Sequence, residues 1–574
     1  MASDSSQKKS FVLVNDSAKL PGIITAVGES ASVGLDIETT GLDPRRDRIR
    51  LLSLHTECGT WLIDCFQVDP NPLFELLAEK TIIGHNLVFD LQFLMHLGFQ
   101  PGQVSDTMLM SRMLHGTRTV SGFHSLTQCV ERELGQQLGK EEQTSDWSRP
   151  DLTPEQLRYA ASDVVCLPAL RDSLAKQIRD TGQVQTATLE MRCLPAIALM
   201  SFHGVSFDVT TWKALAKEAE AEATRLVDEM DKLAPSGPNS DMFGQTVNWS
   251  SPKQVVRVFH ALGINIESVG DEVLANIDHP LSELLRQHRH SIKRANTYGT
   301  DWLKHVAADG RVYAGWQQIG ADSGRMACKK PNLQNLPRDP RYRQCFVAPE
   351  GRVLVVADYS QIELRIAAKY ANERKMIAAY ERGEDLHTRT AKMLLGKDDV
   401  TKADRQLAKS ANFGLLYGMG AKGYRAYAKN NYGVNMTLEQ ATAYRKAFFD
   451  AYPALRRWHR EIGRTNDSAI ETRTLKGRRR ADVSRFTEKL NTPVQGTGAD
   501  GLKLAMALLW DRRQEVPGAF PILAIHDEIV VECDEEQAEE VKNWLETAMK
   551  DGMQPLIDPV PVEVEAVISH DWEK

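Results

Sequence analysis

Val353-Leu-Val-Val-Ala-Asp-Tyr-Ser-Gln-Ile-Glu-Leu-Arg365 is the stretch whose reading decides the fold. An unbroken apolar run that ends in a carboxylate predicts a buried strand with Asp358 at its end. A second stretch, Ile522-Leu-Ala-Ile-His-Asp-Glu-Ile-Val-Val531, reads as a β-hairpin with His526, Asp527 and Glu528 at its tip. Asp358 and Asp527 are 169 residues apart, yet both end apolar strands. If those strands pair, the two carboxylates meet and can share divalent cations. Alone, each would be an ordinary charge at a turn.

Between them, residues from about 373 to 465 carry an almost wholly helical pattern. Within it, Arg405-Gln-Leu-Ala-Lys-Ser-Ala-Asn-Phe-Gly-Leu-Leu-Tyr-Gly418 sets Arg405, Lys409, Phe413 and Tyr417 at successive steps of four. Four residues overshoot one helical turn slightly, so these side chains form a slowly winding stripe. Two cations, an aromatic face and a phenol suit a nucleoside triphosphate, which offers charge and a flat base. The plainer reading is an amphipathic core helix whose basic residues reach out to solvent.

The first 170 residues read as α/β, with strands at Ser32–Glu38, Ile49–His55, Thr60–Phe66 and Thr81–Gly84. Asp36 and Glu38 lie two apart on a strand and therefore on one face. Asp90 follows the Thr81–Gly84 run, and Tyr159 and Asp163 stand four apart on a helix. That helix is opened by Thr153-Pro-Glu-Gln156 and is predicted to run to Leu170.

The chain has 574 residues, enough for three or four domain-sized units. Its 42% hydrophobic and 26% charged residues, with no apolar run of bilayer length, exclude disordered, membrane-spanning and small secreted classes. The N-terminus is polar and lacks a signal-peptide core. Eight scattered cysteines without a Cys-x-x-Cys pair argue for reduced thiols and a cytoplasmic setting. Net charge is −7, but residues 1–188 hold 24 acidic and 17 basic residues, so the remainder is neutral overall. Residues 456–489 carry 11 basic against 5 acidic residues, a local patch suited to phosphates.

Asp36-x-Glu38-Thr-Thr-Gly, Asn86-x-x-x-Asp90 and Tyr159-x-x-x-Asp163, in that order, resemble the DEDDy class of 3′→5′ proofreading exonucleases, which fold as a ribonuclease-H-like unit. The resemblance implies that Asp36, Glu38, Asp90 and Asp163 hold two Mg²⁺ (or Mn²⁺) ions and that Tyr159 orients the attacking water. From about residue 190 to the end, the three polymerase-like stretches resemble family A DNA polymerases, the DNA polymerase I type. Ser323-Gly-Arg325, Pro331-Asn-Leu-Gln-Asn335, Asp385-Leu-His387, Gly477-Arg-Arg-Arg480 and Asn491-Thr-Pro-Val-Gln-Gly496 add to the match.

By that resemblance the fold is α/β and α+β multidomain. The exonuclease domain is expected at 1–175, the thumb at 190–310, the palm at 311–371 and 490–574, and the fingers with their palm connection at 372–489. Asp358, Asp527 and the Tyr359 carbonyl would hold two further Mg²⁺, with Glu528 as a further catalytic carboxylate. Arg405, Lys409 and His387 would bind the triphosphate, and Lys409 would donate a proton to pyrophosphate. Phe413 would stack on the incoming nucleotide and, lacking a hydroxyl, discriminate against dideoxynucleotides. Gln361 and Tyr417 would complete the nucleotide site, with Glu363 as steric gate against a 2′-hydroxyl. Arg325 and Gln495 would read the minor groove, with Asn491 and His526 as further DNA contacts.

The resemblance implies primer–template DNA and dNTPs as partners, no membrane, and a monomer, with room for an unidentified processivity or replisome partner. Some positions depart from the family pattern. Thr487 stands where an arginine is usual, leaving Arg485 or Lys489 as substitutes, and the chain ends His570-Asp-Trp-Glu-Lys574. No 5′-nuclease pattern precedes the exonuclease motifs, and Gln254-Val-Val-Arg-Val-Phe259 reads as helix core rather than a clamp-binding peptide. These absences lean towards a phage or phage-derived enzyme of low to moderate processivity. The alternatives are an exonuclease whose C-terminal half only binds DNA, a non-enzymatic replication scaffold, and a single-subunit RNA polymerase, which Glu363 and the proofreading motifs disfavour.

Overall fold

The computed structural model describes residues 11–117, 120–139, 142, 145–235, 247–465 and 468–573. Residues 1–10 and 236–246 are among those outside the described residues. No helix among the described residues is long and apolar enough to cross a membrane.

The N-terminal third is built on a mixed six-stranded sheet. In spatial order its strands are Val12–Val14, Gly59–Asp64, Ile49–Thr56, Ser32–Thr39, Thr81–Gly84 and Val104–Asp106. Ser32–Thr39 runs antiparallel to Ile49–Thr56 and parallel to Thr81–Gly84. Helices Leu87–His96 and Pro154–Val165 pack on it. The second of these opens with the expected capping box, Thr153 and Gln156 satisfying each other's backbone N–H groups. It does not run to Leu170. It stops at Val165, and a new helix, Leu167–Asp180, begins with Pro168 in its first turn. Proline has no N–H to continue the earlier ladder but is well suited to a first turn.

Helix Val184–His203 leads out of this unit and ends at Gly204. Helix Val209–Leu233 then packs along Pro280–Thr297. Gln254–Phe259 lies inside helix Pro252–Ala261 with Val255, Val258 and Phe259 buried, so this segment is core.

A four-stranded antiparallel sheet organises the C-terminal half, in the order Phe520–Ile525, Glu528–Asp534, Arg352–Tyr359, Val564–Ser569. Val353–Ala357 is fully buried, as its unbroken apolar run requires. Helix Ala538–Ile557 covers the sheet and packs on helix Phe486–Asp511. Helices from Ile362–Tyr370 to Pro453–Gly463 fill the interval between the sheet's strands, and a short hairpin, Ile470–Arg473 with Arg479–Val483, follows them.

A buried ionic cluster ties these parts together. Glu190, on helix Val184–His203, meets Lys503 at 2.7 Å and also binds Arg478, which pairs with Asp500 at 2.7 Å. Burial works to raise the Glu190 carboxyl, but Lys503 and Arg478 outweigh it and hold it below its ordinary value. Lys503 also donates to the Gly324 carbonyl at 2.8 Å. Gly324 has a φ of 89°, and a Cβ there would collide with Arg478, so only glycine fits between Ser323 and Arg325. Glu190→Ala would leave two buried cations sharing one carboxylate, a loss of about 3–5 kcal/mol. The expected outcome is a melting temperature lower by several degrees; an unchanged melt would refute the cluster's structural role.

Two candidate active sites

At the N-terminal site, Asp36, Glu38 and Asp163 bring carboxylate oxygens within 4.8 Å of one another. The strand alternation puts Asp36 and Glu38 on one face, and helix Pro154–Val165 brings Asp163 to them. Asp90 arrives from the first turn of Leu87–His96 and accepts from the Ile37 backbone N–H at 3.2 Å. Burial, then repulsion from their neighbours, pushes the Asp36 and Glu38 carboxyls well up. Burial pushes Asp90 and Asp163 to about 7. Desolvated carboxylates that repel one another form a site for hard cations. Tyr159 is hydrogen-bonded to Asp163, and burial together with the nearby carboxylates pushes its hydroxyl strongly up, so it stays a neutral phenol. The surrounding cavity, about 850 Å³, is also lined by Trp316, Gln317 and Gln318 from the other half of the chain. Sequence reading missed these three because they are remote in sequence and carry no motif.

At the C-terminal site, Arg352–Tyr359 pairs with the second strand of the hairpin rather than with Phe520–Ile525. Asp358 stands opposite Glu528, and the Tyr359 N–H donates to the Asp527 carbonyl at 3.2 Å. The turn is two residues, His526 and Asp527, with His526 at a φ of 58°. Glu528 is therefore not at the tip. It begins the strand, accepts from the Trp572 indole at 2.6 Å and faces Arg343 at 3.6 Å. Burial, then Asp358 and Glu363, push Asp527 to about 6.

A cavity of about 590 Å³ is lined by Asp358, Tyr359, Asp527, His526, Gln361, Glu363, Arg325, Arg405, Lys409, Phe413 and His387. Gln361, at a φ of 53°, caps helix Ile362–Tyr370, and its buried amide oxygen has no hydrogen-bond partner. Glu363 takes the Arg325 guanidinium at 2.7 Å and the Tyr417 hydroxyl at 2.5 Å. Arg405 grips Asp385 through two bonds, at 2.8 and 3.2 Å. Burial works to raise Asp385, but Arg405 and Thr388 hold it far below the usual carboxylate range. Tyr417, Glu528, Gln495 and Asn491 do not line this cavity. Asn491 and Gln495 lie in helix Phe486–Asp511 at spacings that share a face with Gly498, which does line it.

The basic segment is divided: Arg478 and Lys489 are buried, several of its other cations are paired at the surface, and others are exposed. Arg478 lies in the buried cluster, Arg473 and Arg479 bind Glu471, and Arg480 binds Glu488. Lys489 cannot replace the arginine absent at Thr487, because it is buried and donates to the Thr465 and Ser468 carbonyls. Arg485 is exposed and faces Glu488 at 3.5 Å. Arg457, Arg460 and Arg464 remain exposed, spaced along one helix face.

Two carboxylate centres on separate α/β and palm-like sheets, one beside a cationic helix, define a polymerase joined to a nuclease. The family model for DNA polymerase family A matches residues 212–574, and that for 3′-5′ exonuclease matches residues 11–179. DNA polymerase I of Aquifex aeolicus is 37% identical over 98% of this chain and 100% of its own length. Thermostable DNA polymerase I of Thermus thermophilus is 36% identical over 66% of this chain, which spans about half of that relative, 47%. The POL domain of Pol1 from M. smegmatis, solved with DNA primer-template and dNTP, has the same fold. Its TM-score is 0.81 at 23% identity, over 98% of this chain and 99% of that one. The chain belongs to DNA polymerase family A. It is a DNA-directed DNA polymerase with a 3′–5′ exonuclease domain, a class that works with divalent metals.

The geometry of the N-terminal centre sets a first functional outcome. Asp36→Ala/Glu38→Ala should lower metal-dependent primer shortening by about a hundredfold or more. Primer extension should be unchanged on the same gel, and a double variant that still shortens primers would exclude this site.

Proposed function

We propose that this chain extends a DNA primer at the Asp358–Asp527 centre and removes 3′-terminal nucleotides at the Asp36–Glu38–Asp90–Asp163 centre, each with two Mg²⁺. The observation that carries the reading is a single cavity that joins two crowded carboxylates to Arg405, Lys409 and Phe413. Bound metal would neutralise phosphate charge and lower the pKa of the attacking hydroxyl or water. Asp358, Asp527 and the Tyr359 carbonyl are the ligands we assign at the polymerase centre. Arg405 and Lys409 bind the triphosphate, Lys409 protonates the leaving pyrophosphate, and Phe413 stacks on the incoming nucleotide. Arg405 comes to this task already oriented by Asp385, which reduces the entropy lost on binding.

Glu363 closes the space a 2′-hydroxyl would need, with Arg325 and Tyr417 holding its carboxylate in place. Arg325, Gln495, Asn491 and His526 face the primer terminus, and Arg457, Arg460 and Arg464 grip backbone phosphates. At the nuclease centre Tyr159 donates to the attacking water. Glu528 supports the sheet end through Trp572 rather than binding substrate. The domain division is the one drawn from the sequence, with primer–template DNA and dNTPs as partners and a cytoplasmic site of action.

One gel tests the main reading: primed template with divalent metal, with and without dNTPs, for wild type and Asp527→Ala. Extension with dNTPs, shortening without them, and loss of extension alone in the variant are expected. Shortening in every lane would mean that the C-terminal half only holds DNA. For the gate, Glu363→Ala should raise ribonucleotide incorporation relative to deoxynucleotide by roughly ten- to a hundredfold. Unchanged discrimination in single-nucleotide kinetics would remove that role from Glu363.

A further inference from the structure

Asn412 lies within the stretch Arg405–Gly418, one residue before Phe413 and beside the stripe of helix Lys402–Leu416, but carries none of the roles described above. It is buried, and its amide nitrogen sits 2.8 Å from Nδ1 of His387. His387 is buried on the first turn of helix Leu386–Leu395, packs 5.8 Å from the Phe413 ring and lines the polymerase cavity. The same two helices are joined about two turns earlier along Lys402–Leu416 by Arg405 to Asp385. The His387–Asn412 contact is thus the second rung between the helix that carries the cationic stripe and the helix beside it.

A neutral imidazole has one donor and one acceptor nitrogen. With the Asn412 amide donating, Nδ1 is the acceptor and the proton resides on Nε2. The reversed amide would leave its NH₂ group, two donors, buried without an acceptor in place of the single unpaired Asn412 oxygen seen here. It would also present a bare nitrogen to a ligand made only of acceptors. We infer that Asn412 is a positioning residue for nucleotide binding, fixing the Nε2–H tautomer of His387 so that a neutral donor meets the triphosphate beside Arg405 and Lys409. This rests on the reading of the cavity as the nucleotide site. The charged groups facing His387 are Asp385, Arg405 and Lys409, and burial pushes its imidazole down to about 4. The ring therefore stays neutral through the working range of pH, and the cavity gains a donor without a third desolvated cation.

The experiment uses the full-length chain with ¹⁵N-labelled histidine. In the unliganded wild type, ring-nitrogen shifts should show His387 (assigned with His387→Gln) as the Nε2–H tautomer between pH 6 and 8. Asn412→Leu should release that preference. It should also raise the KM for dNTP about tenfold, the worth of one hydrogen bond to a charged group, with kcat within about twofold. Asn412→Asp keeps the shape, guarding against misfolding of the first variant. Its carboxylate takes an Nδ1–H proton, so His387 should begin to titrate in this range and KM should become pH-dependent. An Nδ1–H tautomer in the wild type overturns the inference whatever the cavity binds. The expected tautomer with an unaltered KM in both variants also overturns it. The nucleotide reading itself is judged separately, by Lys409→Ala: if that variant extends primers like wild type, the failure lies with the cavity and not with the tautomer.

Discussion

The antiparallel register of Arg352–Tyr359 against Glu528–Asp534 is the constraint on which the C-terminal site depends. Side chains alternate faces along a strand, so a slip of one residue would send Asp358 to the opposite face. The register is held by what flanks it. Apolar residues from Val353 to Ala357 have no stable alternative to burial, and a two-residue turn leaves no slack between Ile525 and Glu528. Asp358 and Asp527 are brought close against their own repulsion, and that cost is met by the buried sheet beneath them.

The molecule treats charge in two opposite ways. In the cluster of Glu190, Lys503, Arg478 and Asp500, opposite charges saturate one another in the interior and join helix Val184–His203 to helix Phe486–Asp511 and the Ile470–Val483 hairpin. At the two active centres, like charges are buried together and left for cations to neutralise. The first arrangement is complete without ligand, and the second is not. Lys503 links them, since its bond to the Gly324 carbonyl fixes the backbone next to Arg325, whose guanidinium lies on Glu363 in the cavity.

The same economy governs the helix that carries Arg405. Three of the cavity's side chains are each held by a residue that does not line it: Arg405 by Asp385, Glu363 by Tyr417, and His387 by Asn412. Side chains already held in one rotamer lose less entropy when a ligand arrives.

Local sequence determined what local geometry controls. Alternation put Asp36 and Glu38 on one face, Thr153 and Gln156 opened their helix, and the apolar run before Asp358 made a buried strand. It overran the helix at Cys166 because Pro168 both ends one ladder and starts another. What only the tertiary structure decided is which charges remain outside. A count of basic residues over 456–489 treats Arg478, Arg457 and Lys489 alike, yet Arg478 and Lys489 are consumed by buried partners and Arg457 is exposed. Glu528 likewise read as a turn residue and became a strand residue bound to Trp572, 44 positions away. Helix and strand periods are written in neighbouring residues. The partner of a charge is set by the packing of distant segments, and no local pattern encodes it.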